Sequence, residues 1–300
     1  MIKTIILLLF SLSGWGSIEK HFKHAENKTP QTQQIKNIDY IYTINLDKRP
    51  ERWEKALSQL KPYHITPYRF SAVYGLNLSP QALAEIGMTF RPGMEADRWV
   101  IHFPEEESGQ LDYDFLREEC LGKSYFSRWT SRGAIGCTMS HLSVLQDAYD
   151  AGYETIWVLE DDFLIVRDPH QLGALIDKLD ALVGKAGWDI LYTDGTAQEC
   201  NQDSPSQLWY LWRPDLSLDL KALGKKQKIS EEFAKIGNRT GTYSMVIRRS
   251  GMKKILDFEK ARGMFIPFDH ELAIVPHIQL YGLRFPLITY YDGPSDVQTP

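Results

Sequence analysis

Three adjacent carboxylates, Glu160, Asp161 and Asp162, directly follow the apolar run 155–159 (TIWVL). The run is rich in β-branched and aromatic residues, which predicts a buried central strand that ends at the first carboxylate. Neighbouring carboxylates repel each other unless a cation or strong hydrogen-bond donors neutralise them. Mg²⁺ and Mn²⁺ prefer oxygen ligands and commonly bridge the phosphates of a substrate. The triplet therefore predicts a site for Mn²⁺ or Mg²⁺, and a solvated acidic turn is the alternative interpretation.

The elements around this triplet alternate between strands and helices. Strands are predicted at 39–45, 64–70, 155–159, 188–193, 241–248 and 283–288. Helices are predicted from Pro50 and Pro80, at 131–152 and 250–260, and from Pro169 and Asp269. This alternation is typical of an α/β fold with a mixed, mostly parallel sheet flanked by helices. Ligands of such sheets bind beyond the carboxyl ends of the strands, which is where the triplet stands.

Composition limits the class of protein. The chain has 300 residues, 43% of them hydrophobic, and a formal net charge of −5. A duplex DNA binder relies on a positive field, so the acidic balance predicts no nucleic-acid partner. Three cysteines, Cys120, Cys137 and Cys200, are too few for a disulfide framework and lack the spacing of a zinc site.

The N-terminus resembles a secretory signal. Lys3 precedes a short apolar run, and small residues lead to Ser17. We therefore divide the chain into a signal-like segment (1–17), a flexible polar stem (18–37), one catalytic domain (38–291) with insertions at 88–130 and 196–237, and a tail (292–300). An N-terminal membrane anchor is the alternative for the first segment. The expected location is secretory or membrane-associated, or the cytoplasmic face if the chain is bacterial and the anchor is uncleaved.

Five short segments resemble the motifs of glycosyltransferase family 25, which includes bacterial lipooligosaccharide galactosyltransferases and the procollagen galactosyltransferases. They occur in family order at 45–52 (NLDKRPER), 133–141 (GAIGCTMSH), 158–162 (VLEDD), 241–244 (GTYS) with 250–251 (SG), and 267–269 (PFD). The resemblance implies a GT-A-like fold. It also implies inverting transfer of a hexose, often galactose, from a UDP-sugar with Mn²⁺. The acceptor would be a hydroxyl of a glycan, lipooligosaccharide or glycoprotein.

The resemblance also assigns roles to single residues. Asp162 would bind the metal, Glu160 the ribose or a second metal position, and Asp161 the donor. Asp269 is the candidate general base, although a carboxylate at a helix start can simply cap the helix. Asp194, which follows a predicted strand, is the rival base.

Four further residues would line the donor pocket: Asn45, Arg52, Ser140 and His141. Each also has an ordinary structural interpretation, as a turn residue, an exposed helix charge or helix packing. His270 and His277 are weaker candidates for the metal shell.

Other functions remain open alternatives. Tyr74 stands where family members often carry aspartate, so a catalytically silent relative, acting in adhesion or as a scaffold, is the second hypothesis. A phosphotransferase or nucleotidyltransferase is a third, but the sequence contains no GxxxxGK[ST] phosphate loop.

Overall fold

A computed structural model describes residues 18–32, 34–103, 112–195, 208 and 210–291. Within these residues the strands are β1 (Tyr40–Asn45), β2 (Tyr68–Ser71), β3 (Met88–Thr89), β4 (Trp99–His102), β5 (Asp112–Phe115), β6 (Ser124–Ser127), β7 (Thr155–Glu160), β8 (Phe163–Ile165), β9 (Ile190–Tyr192), β10 (Lys226–Lys228), β11 (Phe233–Ile236), β12 (Ser244–Arg248), β13 (Leu280–Leu283) and β14 (Ile288–Tyr290). The helices are α1 (Pro50–Leu60), α2 (Pro80–Ile86), α3 (Arg132–Asp150), α4 (Gln171–Val183), α5 (Leu220–Leu223), α6 (Arg249–Arg262) and α7 (Phe268–Ile274).

The main sheet confirms the predicted mixed α/β architecture. Its eight strands lie in the order β10-β11-β13-β9-β12-β7-β1-β2. Pairings β1–β2, β1–β7 and β9–β13 are parallel, and the other four are antiparallel. Only β11 and β12 are reversed, so six of the eight strands point the same way.

Both faces of the sheet are buried because successive side chains of a strand point to opposite faces. In β7, Ile156 and Val158 pack into one core with α3 and α6, whereas Trp157 and Leu159 pack into the other with α1 and α4. This double burial explains why 155–159 is an unbroken apolar run.

The topology brings several chain segments to one edge of the sheet. Asn45 pairs with Ser71 at the ends of β1 and β2, and Ile44 pairs with Glu160 at the end of β7. Strand β12 runs the other way, so its first residue, Ser244, pairs with Leu159 near the end of β7. Residues just before β12 therefore meet residues just after β1 and β7.

The segment 18–37, predicted to be a flexible polar stem, contacts the domain through several of its described residues. Lys28 contacts Asp147 and Tyr42 on the domain, at 2.5 and 2.8 Å. Gln31 exchanges two hydrogen bonds with the backbone of Ile41, and Ile18 is buried. The polar side chains of this segment therefore form hydrogen bonds with the domain. The composition of the segment did not predict these contacts.

The terminal predictions lie outside the described residues, since 1–17 and 292–300 are not among them. Within the described ranges, no helix combines the length and apolar character that a bilayer crossing requires.

The two predicted insertions have different fates. The segment 88–130 forms a separate antiparallel sheet in the order β3-β6-β4-β5. In the segment 196–237, residues 196–207 and 209 lie outside the description, while β10 and β11 extend the main sheet. The strand predicted at 283–288 is wrong, because only its first and last residues, Leu283 of β13 and Ile288 of β14, lie in strands. Pro286, which cannot donate to a strand ladder, lies in the connection between them.

Candidate active site

A cavity of about 500 Å³ lies at the edge of the sheet where β1 and β7 end. Seven of the eight residues predicted for the site line it, namely Arg52, Ser140, His141, Glu160, Asp161, Asp162 and Asp269. The eighth, Asn45, is buried at the end of β1, beside Asp161. The tertiary structure therefore brings the predicted residues together from four motif segments of the chain.

Asp161 is held by two side chains of the first motif. Asn45 Nδ2 donates to Asp161 Oδ2 at 2.6 Å, and Arg52 Nη1 donates to Oδ1 at 3.1 Å. Burial raises the pKa of Asp161 in spite of these donors. Asn45, Arg52 and Asp161 thus form one network that fixes the loop after β1 against the loop after β7.

Glu160 has partners from two other motifs. His141 Nε2 lies 3.1 Å from Glu160 Oε1, and Thr242 Oγ1 donates to the same oxygen at 2.5 Å. Burial favours the neutral acid, but the interactions with His141 and Thr242 outweigh it and hold the pKa of Glu160 below its ordinary value. Glu160 is therefore favoured as a carboxylate at the wall of the cavity.

Asp162 differs from its two neighbours. Among the described residues, no donor reaches its buried Oδ1 atom. Burial, followed by the charges of Glu160 and Asp161, raises the pKa of Asp162 to about 7. An unpaired carboxylate oxygen beside two further carboxylates is what a hard divalent cation would satisfy. The residues present therefore fit Mn²⁺ or Mg²⁺, with Asp162 as the first candidate ligand.

Asp269 lies in the first turn of α7 and faces the same cavity. Its Oδ2 atom accepts a hydrogen bond from the backbone N–H of Gly241 at 2.7 Å, and Oδ1 accepts from the N–H of His270. The N-cap position belongs to Pro267, so Asp269 is not the capping residue. It anchors the loop before β12 and lines the cavity.

Asp194, the rival base, is buried in an ion pair. Its carboxylate lies 2.8 Å from Nη1 of Arg239, and both side chains are at most 5% exposed. Arg239 also lies over the ring of Tyr192. This geometry favours a structural role for Asp194.

Replacing Asp194 with alanine should lower the free energy of unfolding by about 3–5 kcal/mol, because Arg239 would remain as a buried, uncompensated charge. Urea denaturation measures the change. Asp257→Ala is the control, since its partner Lys253 is exposed and such pairs contribute about 1 kcal/mol or less. Normal stability with lost turnover in Asp194→Ala would instead return this residue to the role of base.

Ser140 holds the loop 73–75, which forms part of the cavity wall. Its hydroxyl accepts from the N–H of Val73 at 2.8 Å and donates to the carbonyl of Gly136 at 2.6 Å. Glycine is required where this loop meets α3, because a Cβ on Gly136 would lie 2.5 Å from the nitrogen of Gly75. Ser140 therefore holds the loop that carries Tyr74 into the cavity.

His141 also acts through its neighbours. It is 1% exposed and stacks on Phe268, with ring centroids 4.9 Å apart. Its contact with Glu160 makes it a positioning residue for that carboxylate.

The two weaker histidine candidates lie elsewhere. His270 is stacked on Tyr210 and hydrogen-bonded to Asn238. His277 lies just before β13, where the parallel strands begin. The cavity lies at the other edge of the sheet, where these strands end. Neither arrangement supports a place in a metal shell.

Sequence reasoning missed three residues of the site. Thr242 donates to Glu160, Phe268 packs on His141, and Trp129 lines the cavity between β6 and α3. Thr242 and Phe268 lie in the motif segments 241–244 and 267–269, so the motifs could have identified them as site residues. Trp129 lies in the first insertion, where no motif pointed to it.

Comparisons with known proteins agree with this site. The model of "Glycosyltransferase family 25 (LPS biosynthesis protein)" matches residues 38–271, well over half of the chain. A glycosyltransferase 25 family member of Aedes aegypti is 25% identical over 86% of this chain and 34% of its own length.

Two human relatives carry more specific names. Procollagen galactosyltransferase 2 is 28% identical over 54% of this chain and 22% of its own length. Inactive glycosyltransferase 25 family member 3 is 25% identical over 84% of this chain and 34% of its own length. The chain therefore spans about a third or less of the length of these curated relatives. The motifs, the cavity and the family match agree, and the chain belongs to glycosyltransferase family 25.

Proposed function

We propose that this protein is an active, divalent-metal-dependent hexosyltransferase. It moves a hexose, with galactose as the first candidate, from a UDP-sugar to a hydroxyl of a glycan, lipooligosaccharide or glycoprotein acceptor. The anomeric configuration is inverted, because a single displacement at the anomeric carbon places the new bond opposite the old one.

One observation carries the proposal. Asp162, with its unpaired buried Oδ1 atom, and Asp269 line the same cavity of about 500 Å³. A sugar transferase needs one group to neutralise the leaving diphosphate and another to take the proton of the attacking hydroxyl. The cavity therefore contains a carboxylate for each of these two tasks.

The residues would divide the work as follows. Asp162 and Glu160 would hold the divalent ion, which supplies Lewis-acid stabilisation of the leaving UDP when bound. Asn45 and Arg52 would hold Asp161, which lies between the two metal ligands in the chain, so that the donor would bind against a fixed side chain. Asp269 would accept the proton of the acceptor hydroxyl as that oxygen attacks the anomeric carbon.

The experiment measures UDP release by the purified protein with UDP-galactose, UDP-glucose and UDP-N-acetylglucosamine. Each donor is tested with Mn²⁺, with Mg²⁺ and with EDTA, in the presence of methyl glycosides or a procollagen peptide as acceptors. We expect one donor to be preferred and EDTA to abolish its turnover. Failure to bind any of these donors with either ion, measured by calorimetry, would refute the proposal.

A catalytically silent protein is the second candidate function. Some family relatives are named inactive, including the human one described above. Tyr74 also lines the donor cavity, and Nζ of Lys48 lies 3.8 Å from the centre of its ring. This candidate predicts that no UDP-sugar binds with Mn²⁺.

A further inference from the structure

A second, smaller pocket adjoins the donor cavity. It has a volume of about 210 Å³ and lies between β4, the loop after β6 and the segment that begins at Tyr210. Trp129 lines both this pocket and the donor cavity. A molecule in the small pocket would therefore lie directly beside a molecule in the large one.

Four of the eight lining residues are aromatic, namely Trp99, Trp129, Tyr210 and Trp212. Trp129 meets Tyr210 edge to face at 5.3 Å, and Tyr210 stacks on the buried His270. Trp212 packs against Phe265 in the same edge-to-face manner, at 5.5 Å. Such contacts hold the rings in fixed positions, so the wall is built before a ligand arrives.

Polar groups complete the pocket. Trp212 Nε1 donates to Glu95 at 2.8 Å, and the guanidinium of Arg98 lies over the Trp212 ring. Asp97, Arg98 and Arg128 also line the pocket. Trp99 stands at its rim with 54% of its surface exposed, which is unusual for a tryptophan that serves only packing.

We infer that this pocket is the acceptor subsite and that it binds one pyranose ring of a glycan acceptor. Aromatic faces cover the apolar C–H face of a sugar, while carboxylate and guanidinium groups hydrogen-bond its hydroxyls. The volume lies below the range of about 300–1,000 Å³ for drug-sized ligands, which suits a single ring. The inference rests on the proposed function, because it assigns the acceptor of that same reaction.

The charges around the pocket balance. The guanidinium groups of Arg98 and Arg128 stand against the carboxylates of Asp97 and Glu95, and Arg98 pairs with Glu95 at 3.4 Å. A neutral sugar ring suits this balance, because it brings no charge that would need a partner. Trp129 then places the bound ring beside the donor cavity that Asp269 lines.

The test uses the full chain and saturation-transfer NMR. The probes are methyl β-galactoside, methyl β-glucoside and methyl N-acetyl-β-glucosaminide, with a procollagen peptide as the competing class. We expect at least one glycoside to bind, and Trp99→Ala to weaken it at least fivefold. Phe285→Ala is the matched control, because Phe285 is also 54% exposed but lies after β13 and outside this pocket. UDP binding with Mn²⁺ is measured on each variant to report on the donor cavity.

Each other outcome contradicts one specific statement. Intact UDP binding without binding of any glycoside would overturn the subsite and leave the transferase proposal standing. Binding of the peptide alone, sensitive to Trp99→Ala, would show that the occupant is a protein. Equal losses in Trp99→Ala and Phe285→Ala would show that the effect is not local to the pocket. Glycoside binding without any UDP binding would keep the sugar site and refute the transferase.

Discussion

Asp162→Ala should lower metal-dependent UDP release by about three orders of magnitude or more while the protein stays folded. Lewis-acid stabilisation of a leaving group is worth several kcal/mol, and each ~1.4 kcal/mol of lost stabilisation costs tenfold in rate. Asp162 is the member of the triplet whose Oδ1 atom is buried without a donor among the described residues. Removing it leaves the side-chain donors of Asp161 and Glu160 in place, which separates its role from those of its neighbours.

Two measurements make this result specific to the metal. Titration of Mn²⁺, followed by electron paramagnetic resonance, should show weaker binding to Asp162→Ala in the absence of donor. Circular dichroism and urea denaturation should remain close to wild type. Asp257→Ala serves as the control for removal of a carboxylate, since Asp257 is exposed on α6. Wild-type turnover in Asp162→Ala would exclude this carboxylate as the essential ligand.

Asp269→Asn should lower kcat by about 10²–10⁴-fold, which is the usual contribution of a general base. The amide keeps the size of the side chain and one acceptor for the Gly241 N–H but cannot take up a proton. Donor affinity should change little if Asp269 acts on the acceptor.

A purely structural role for Asp269 predicts a different pattern. The side chain accepts from Gly241 at 2.7 Å, so a loop that had lost this anchor would bind UDP more weakly at every pH. A raised KM for the donor with an unchanged kcat would therefore contradict the assignment of the base. Asp257→Asn controls for the change of charge.

The network around Asp161 shows where sequence reasoning reached its limit. The motif resemblance placed Asn45, Arg52 and Asp161 in one site, and the structure confirms that they meet. Their contacts, however, are with each other, at 2.6 and 3.1 Å. Spacing along the chain identified the participants but did not show which carboxylate of the triplet would be neutralised by the protein and which would be left for a cation.

The sequence by itself determined the local elements and the position of the carboxylates. The apolar run 155–159 and the caps at Ser79 and Ser131 specify strand and helices through interactions within a few residues. Tertiary structure alone decided the pairing of Asp194 with Arg239, the contacts of the segment from Ile18 with the domain, and the pocket beside Trp129. These features depend on groups that are distant in the chain and are brought together only by packing of the sheet, and no local pattern of residue types encodes such contacts.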